Sequence, residues 1–257
     1  MTWALDLDGV VWLAGRGIPG SAEAVSELKE AGERVVFLTN NSGPTVGAYV
    51  EALGKVGIAC SQAELVTSSQ AAAALLAPGA RTAVVGDAGI HEALEARGVE
   101  VVDARSSPQA VVVGRRTELD YWELAAAATA VREGARFIAT NADATFPGGA
   151  AGLLPGAGAL VAFVSTASGR QPEVAGKPHE PMAALVRSRF GDLAVMAGDR
   201  PDTDGRFARL VGARFGLVFS GVTSRADLPV DPTPDLVADD LHDLVRDYLE
   251  RRPAQSS

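Results

Sequence analysis

The chain opens with the segment Thr2-Trp3-Ala4-Leu5-Asp6-Leu7-Asp8-Gly9-Val10, in which a short apolar run ends in two carboxylates and a glycine. Successive side chains of a strand point to opposite faces, so Asp6 and Asp8 are expected on the same side. Two carboxylates this close repel each other unless a cation lies between them or one of them is protonated. Asp and Gly also form ordinary turns, so the segment alone leaves both a reaction centre and a plain strand end open.

The rest of the chain repeats a pattern of short apolar runs followed by amphipathic stretches. The predicted buried strands are Trp3–Asp6, Arg34–Leu38, Thr82–Val85, Ala110–Val113, Arg136–Ala139, Leu193–Ala197 and Arg214–Val218. The predicted helices are Ser21–Ala31, Thr45–Val56, Ser69–Leu76, Leu119–Arg132, Pro181–Arg189, Asp204–Leu210 and Asp239–Arg251. This alternation predicts an α/β protein with a doubly wound, mostly parallel Rossmann-like sheet that helices cover on both faces.

The middle of the chain has strands and helices of its own and interrupts the series. Pro78-Gly79 and Gly169-Arg170-Gln171-Pro172 carry the turn-forming residues typical of hinges and bracket this stretch. We therefore predict residues 1–79 as the first part of a core domain and 80–172 as an inserted α/β domain. Residues 173–257 are then the second part of the core.

Composition limits the classes of partner and location. The net charge is −9 and the isoelectric point about 4.9, without a basic run, which argues against binding to nucleic acid or an anionic membrane. Cys60 is the only cysteine, so an internal disulfide is excluded and a reducing compartment is expected. No leader-like segment and no apolar stretch of about 18 residues is found, and we expect a cytoplasmic protein.

Three further polar segments are expected at the edge of the sheet where ligands bind, beyond the carboxyl ends of the strands. They are Thr39-Asn40-Asn41-Ser42, Gly176-Lys177-Pro178, and Gly198-Asp199-Arg200-Pro201-Asp202-Thr203-Asp204. Each has an ordinary explanation as a helix cap, a turn or a solvated surface. Together with Asp6 and Asp8, in a fixed order along the chain, they favour a functional site.

The acidic residues match the needs of phosphomonoester hydrolysis, for which an enzyme lowers the barrier by more than ~20 kcal/mol. Asp6 suits a nucleophile that forms an aspartyl-phosphate. Asp8 suits the acid that protonates the leaving oxygen and the base that later activates water. Asp199 completes an oxygen site for Mg²⁺, without which three gathered carboxylates would repel a phosphate.

The remaining residues suit phosphate binding. Thr39 offers a hydroxyl, and the backbone N–H groups of Asn40 and Asn41 are expected to open a helix, a place where phosphates are held. Lys177 is one of only three lysines and supplies a compact positive charge. Asp204 is expected to orient Lys177.

The same segments resemble a known family. They are similar to the four motifs of haloacid-dehalogenase (HAD) superfamily phosphatases, at Asp6–Val10, Thr39–Ser42, Gly176–Pro178 and Gly198–Asp204. The subfamily resembled has a large inserted α/β cap and includes 4-nitrophenylphosphatases, phosphoglycolate phosphatases and pyridoxal phosphate phosphatases. Further stretches that resemble it are Val84–Gly89, Phe137–Asp143, Pro155–Leu160 and Ser220–Thr223.

The resemblance implies a HAD core with a cap at residues 80–172. It implies Mg²⁺ held by Asp6, the backbone carbonyl of Asp8, and Asp199. The implied activity is Mg²⁺-dependent hydrolysis of small phosphorylated metabolites, of which phosphoglycolate, glycerol phosphate and sugar phosphates are the expected substrates.

Residues of the cap are predicted to select the substrate without taking part in the chemistry. Asn141, Asp143 and Phe146 offer polar and flat contacts for a leaving group. Two features depart from the family: Arg115 and Arg116 follow Val-Gly where an aspartate is common, and Phe146 stands where pyridoxal phosphate phosphatases are expected to carry a histidine. The second departure argues against a pyridoxal phosphate substrate.

Two other classes stay open at this point. A receiver-type signalling module also gathers Asp, Thr and Lys at strand ends, but it is short and carries its phosphoacceptor on a later strand. A dinucleotide-binding protein is the other, because Pro155–Leu160 contains part of a Gly-x-Gly-x-x-Gly motif. A homodimer formed through the cap is also considered.

Overall fold

The computed structural model describes residues 1–147 and 152–251. Its strands are β1 (Thr2–Asp6), β2 (Trp12–Leu13), β3 (Arg16–Gly17), β4 (Arg34–Thr39), β5 (Leu65–Thr67), β6 (Arg81–Val85), β7 (Glu100–Val101), β8 (Ala110–Val113), β9 (Arg136–Ala139), β10 (Thr145–Pro147), β11 (Leu153–Pro155), β12 (Glu173–Val174), β13 (Val195–Gly198), β14 (Arg214–Val218) and β15 (Leu236–Ala238). Its helices are α1 (Ser21–Glu30), α2 (Val46–Lys55), α3 (Ser68–Ala74), α4 (Ala88–Ala96), α5 (Tyr121–Arg132), α6 (Ala157–Ser168), α7 (Glu180–Phe190), α8 (Arg206–Val211) and α9 (Leu241–Glu250).

Contacts between residues group the chain into two compact units. Unit 1 comprises Met1–Leu38, Val50–Leu65 and Arg187–Ser257, and unit 2 comprises Thr39–Tyr49 and Val66–Val186. The predicted division into residues 1–79, 80–172 and 173–257 stays a prediction.

Unit 1 is built on a six-stranded sheet of order β15-β14-β13-β1-β4-β5. The central strand β1 pairs in parallel with β13 on one side and β4 on the other. Trp3, Ala4 and Leu5 are all fully buried, which shows that both faces of β1 are covered. The chain adds strands on either side of β1, so the carboxyl end of β1 is the switch point at which such sheets bind ligands.

Unit 2 contains a separate five-stranded sheet of order β12-β9-β8-β6-β7, in which β6, β8 and β9 pair in parallel. Its central strand β8 is entirely apolar and buried. Helices α5 and α6 cover the sheet, and Leu124, Ala127 and Val164 pack with Val111 and Val113 in one core. Unit 2 therefore has a hydrophobic core of its own.

The predicted α/β class with mostly parallel sheets is confirmed, and every predicted strand is present with ends within two residues. The elements missed were α4, α6 and several short strands at sheet edges. The edge strands β7 and β12 have only two residues each and carry no apolar run. Helix α6 is apolar on nearly all sides, so it lacks the contrast that marks an amphipathic helix.

None of the helices in the described part of the chain combines the length and hydrophobicity needed to cross a membrane.

Candidate active site

Three carboxylates meet at the carboxyl end of the central strands of unit 1. Asp6 is the last residue of β1, and Asp199 follows the last residue of β13, which pairs with β1 in parallel. Asp204 comes from the single π-helical turn Pro201–Gly205 that follows. All three side chains are buried, and one carboxylate oxygen from each lies within 4.8 Å of the others.

Glycines give these carboxylates room. A methyl group at Gly9 or at Gly221 would overlap the carboxylate of Asp199, and one at Gly198 would overlap the side chain of Asp204. Gly9 also has a φ of 85°, a conformation that favours glycine. The Gly in the Asp-x-Asp-Gly segment is therefore required both by the turn and by the close approach of Asp199.

Asp199 shows that the cluster is short of positive charge. Its Oδ2 accepts a hydrogen bond of 2.6 Å from the backbone N–H of Val222, whereas its Oδ1 is buried without a hydrogen-bond partner among the described residues. Burial raises the pKa of Asp199 well above its usual range, and the neighbouring carboxylates of Asp204 and Asp6 raise it further. A divalent cation would supply a ligand for Oδ1 and offset this repulsion, so the residues fit a Mg²⁺ site of oxygen ligands.

Asp8 has a different set of contacts. Its half-buried carboxylate accepts a hydrogen bond of 3.1 Å from the indole Nε1 of Trp12, and it is not one of the three grouped carboxylates. The predicted role of the Asp8 backbone carbonyl as a metal ligand stays a prediction. Asp204, which was predicted only to orient Lys177, also lies in the carboxylate group, because the π-helical turn brings it back to Asp199; its predicted effect on Lys177 stays a prediction.

In unit 2, Asn40 fixes the main chain at Lys177. The Asn40 side chain accepts a bond of 2.8 Å from the backbone N–H of Lys177 and donates one of 3.0 Å to its carbonyl oxygen. The Asn40 carbonyl accepts bonds from Ser68 Oγ and Asn141 Nδ2. The side chain of Lys177 is buried, with only 3% of its surface exposed, which is rare for lysine outside functional or paired positions.

The expectation that Asn40 and Asn41 open a helix is wrong. Helix α2 begins at Val46, after Pro44, and the hydroxyl of Thr45 caps it by accepting the N–H of Ala48 at 3.2 Å. The backbone N–H of Asn41 instead donates to Thr39 Oγ1 at 3.1 Å. Thr39, the last residue of β4, thus bonds to Asn41 in the loop that follows the strand, because proline and the threonine cap move the helix start downstream.

The predicted substrate contacts of unit 2 have defined positions. Asn141 is buried and uses its amide to bind the Asn40 carbonyl at 2.6 Å, while Asp143 accepts bonds of 3.2 and 3.3 Å from Asn40 Nδ2. Phe146 lies in β10, under the guanidinium of Arg115. Their contacts with substrate stay a prediction.

Sequence reasoning missed Ser42 and Arg115 as parts of this network. The buried Ser42 Oγ accepts the backbone N–H of Arg115 at 2.9 Å and bonds with Thr140 Oγ1 at 3.0 Å. The departure of Arg115 from the family pattern was visible in the sequence, but its neighbours were not, because they come from distant parts of the chain.

Comparison with known proteins agrees with this site. Two family models match, haloacid dehalogenase-like hydrolase over residues 3–100 and HAD-hydrolase-like over residues 174–244. The chain is 36% identical over 253 residues to D-glycerol 3-phosphate phosphatase from Mycobacterium tuberculosis, covering 95% of this chain and 70% of that protein. It is 32% identical to acid sugar phosphatase from Staphylococcus saprophyticus, covering 95% and 96%. The structure of glycerol phosphate phosphatase from M. tuberculosis in complex with magnesium superposes with a TM-score of 0.88 at 34% identity, covering 95% and 77%.

The fold, the carboxylate centre and these matches define a phosphoric monoester hydrolase. The chain belongs to the haloacid dehalogenase-like hydrolases, and the resemblance seen in its motifs is confirmed. The magnesium complex of the relative and the three gathered carboxylates support the prediction of a Mg²⁺ cofactor.

Proposed function

We propose that this protein is a Mg²⁺-dependent phosphatase of small phosphorylated metabolites that works through an aspartyl-phosphate. The observation that carries the proposal is the buried group Asp6, Asp199 and Asp204, with Asp199 Oδ1 left without a hydrogen-bond partner. Two relatives bear the names D-glycerol 3-phosphate phosphatase and acid sugar phosphatase, which supports substrates of this size. Asp6, Asp199 and the backbone carbonyl of Asp8 would hold the Mg²⁺, which would supply positive charge for the phosphoryl oxygens.

The first chemical step belongs to Asp6 and Asp8. A carboxylate oxygen of Asp6 forms a bond to phosphorus while the bond between phosphorus and the ester oxygen breaks. Asp8 gives its proton to the leaving alkoxide.

The second step returns the enzyme to its starting state. Asp8, now a carboxylate, takes a proton from a water molecule whose oxygen attacks the phosphorus of the aspartyl-phosphate. The bond between Asp6 and phosphorus breaks, inorganic phosphate is released, and both aspartates regain their original protonation.

Residues of unit 2 are proposed to bind the phosphate group. Thr39 supplies a hydroxyl, Lys177 supplies positive charge, and Asn40 and Asn41 hold the loop and the lysine backbone in place. Asn40 bonds to both the backbone N–H and the carbonyl oxygen of Lys177. These bonds support a role for Asn40 in positioning the lysine, because a buried lysine needs its geometry fixed. Asp204 is proposed to orient Lys177 as well as to belong to the carboxylate group.

We also propose that residues 80–172 form the cap domain, which selects the substrate, and that Asn141, Asp143 and Phe146 act in it. A cytoplasmic location and a homodimer through the cap complete the proposal. Size-exclusion chromatography with light scattering of the full chain and of Trp122→Glu, which changes a side chain that is 68% exposed, tests the dimer.

Release of inorganic phosphate from 4-nitrophenyl phosphate tests the activity itself. We expect turnover with Mg²⁺, none with excess chelator, and recovery when Mg²⁺ is added back. A panel of glycerol phosphate, sugar phosphates and phosphoglycolate, ranked by kcat/KM, then identifies the substrate class. Turnover that persists unchanged in chelator contradicts the Mg²⁺ site, and no phosphate release from any ester contradicts the phosphatase.

A further inference from the structure

Arg115 is held firmly in unit 2, in the segment between β8 and α5. Its backbone N–H is bonded to Ser42 Oγ, and its Nη1 donates to Asn41 Oδ1 at 3.3 Å. The guanidinium carbon lies 4.6 Å from the centre of the Phe146 ring. Stacking on an aromatic ring fixes the plane of a guanidinium group, so Arg115 presents a defined face and edge.

This arginine has no carboxylate partner in the described part of the chain. Within residues 1–147 and 152–251, no carboxylate lies within ion-pair distance of Arg115, and its Nε is buried without a hydrogen-bond partner. A half-buried guanidinium gives up part of its hydration, and proteins normally offset this loss by pairing it with an anion. The missing partner is therefore a feature to explain.

The next residue, Arg116, has a carboxylate and two carbonyl oxygens as partners. Arg116 Nε lies 3.4 Å from a carboxylate oxygen of Glu123 and donates to the carbonyl of Glu118 at 3.0 Å. Its Nη1 donates to the carbonyl of Gly86 at 3.0 Å. The lack of a carboxylate partner among the described residues thus distinguishes Arg115 from the neighbouring Arg116.

The surroundings of Arg115 connect it to the proposed phosphate contact. Asn41, which accepts from Arg115, donates its own backbone N–H to Thr39 Oγ1. Gly43 makes space for the guanidinium, since a methyl group there would lie 3.1 Å from Arg115 Nη1 and 3.2 Å from its Cδ. One residue, Asn41, therefore links the Thr39 hydroxyl and the unpaired guanidinium.

We infer that Arg115 recognises a carboxylate on the leaving group, so that the preferred substrates are small phosphomonoesters of hydroxy acids. This inference rests on the proposed phosphatase activity and narrows its substrate class. The planar guanidinium matches a carboxylate in shape and charge, whereas a sugar hydroxyl would leave the positive charge unpaired. Phe146 contributes by fixing the guanidinium plane, which gives a role to the side chain found in place of the expected histidine.

The test uses three esters of similar size whose leaving groups differ in charge: 2-phosphoglycolate, ethyl phosphate and phosphoethanolamine. Their kcat/KM values are measured with Mg²⁺ for the wild type, Arg115→Gln and Arg115→Glu, and 4-nitrophenyl phosphate serves as a common reference. Arg116→Gln is the matched control, because it removes a neighbouring arginine that already has protein partners.

We expect Arg115→Gln to lower kcat/KM for 2-phosphoglycolate by about 10- to 100-fold more than it lowers that for 4-nitrophenyl phosphate, as for loss of a hydrogen bond to a charged group. Arg115→Glu should favour phosphoethanolamine over 2-phosphoglycolate. Arg116→Gln should leave the order of the esters unchanged.

A binding measurement separates this inference from the chemistry. In the Asp6→Asn background, Arg115→Gln should weaken the calorimetric Kd for 2-phosphoglycolate by the same factor while leaving that for ethyl phosphate unchanged. A uniform loss on all esters, or an equal effect of Arg116→Gln, overturns the role of Arg115 while the phosphatase stands. A wild type that releases phosphate from none of the four esters refutes the proposed function itself, and this inference with it.

Discussion

Asp199 in unit 1 and Arg115 in unit 2 share one structural feature, although their side chains carry opposite charges. Each has a buried polar atom that finds no hydrogen-bond partner among the described residues, Oδ1 of the Asp199 carboxylate and Nε of the Arg115 guanidinium. Asp199 is 2% exposed and has two carboxylates beside it, whereas Arg115 is half-buried and rests on an aromatic ring. Leaving such atoms unpaired is costly, so both positions indicate a partner that the protein chain itself does not supply.

The difference between the two regions separates residues for catalysis from residues for substrate selection. The aspartates can serve any phosphomonoester, because a cation and a nucleophile act on the phosphate that all such substrates share. Arg115 can act only on what distinguishes one substrate from another. Variants of the first region should therefore affect all substrates, and variants of the second should affect them unequally.

The largest expected effect is that of Asp6→Asn. An amide cannot attack phosphorus, so phosphate release should fall by about 10³-fold or more on every ester. The fold should survive, because the change removes one charge from a crowded group. Steady-state phosphate release and circular dichroism check both points, and activity above a tenth of wild type would remove Asp6 from the role of nucleophile.

Removal of the cation should come next in size. Excess chelator, or Asp199→Ala in the presence of Mg²⁺, should lower kcat by about 10²- to 10³-fold, since a bound metal contributes several kcal/mol to such reactions. Ca²⁺ should inhibit, because its larger and looser coordination misplaces the phosphate. Asp202→Ala is the control, because Asp202 lies close by in sequence but its side chain is 65% exposed. Equal losses in both variants would argue against a specific site.

Asp8→Asn should separate substrates by leaving group and not by charge. The loss on glycerol phosphate should exceed that on 4-nitrophenyl phosphate by about tenfold or more, because nitrophenolate hardly needs a proton. The ratio of the two kcat values, compared with wild type, measures this directly. An unchanged ratio would argue against Asp8 as the general acid.

The smallest effect on activity should come from Phe146→Ala. Loss of the ring frees the plane of the Arg115 guanidinium, so the preference for 2-phosphoglycolate over ethyl phosphate should narrow by about threefold to tenfold. Mg²⁺ affinity, followed by the dependence of rate on Mg²⁺ concentration, should stay the same. A change in Mg²⁺ affinity without a change in preference would place Phe146 in support of the catalytic centre.

The sequence was informative wherever chemistry follows a buried strand. Strands β1 and β13 are continuous apolar runs, and Asp6 and Asp199 at their ends could be placed together because parallel neighbours end at one edge. The fold class and the meeting of Asp6 with Asp199 were therefore predictable from periodicity and position.

Features that depend on loops were harder to predict. The helix after β4 was predicted to start at Thr45 and begins at Val46, but the Thr-Asn-Asn-Ser run was wrongly expected to open it because it resembles a helix cap, whereas Thr45 is the cap. The place of Asp204 depends on the π-helical turn, which local propensity does not mark. The surroundings of Arg115 join residues 41, 42, 115 and 146, and such distant contacts leave no periodic pattern in the sequence.

The central claim is that the buried carboxylates of unit 1 form a cation site, and thermal unfolding of wild type and Asp199→Asn tests it most directly. The pKa of Asp199 is raised in the folded state. Without metal, the folded state is therefore more stable while Asp199 is protonated, and this stability is lost as the pH rises through the raised pKa. At neutral pH in chelator, Asp199→Asn should therefore unfold at a higher temperature than wild type, and this gap should shrink as the pH is lowered.

In the presence of Mg²⁺, the wild type should unfold at a higher temperature than Asp199→Asn. Mg²⁺ should raise the Tm of the wild type, by about 2–4 °C for each kcal/mol of binding free energy, and leave Asp199→Asn nearly unchanged. Asp202→Ala should respond to Mg²⁺ as the wild type does. A wild-type Tm that does not respond to Mg²⁺, together with an Asp199→Asn variant that is less stable in chelator, would contradict the cation site.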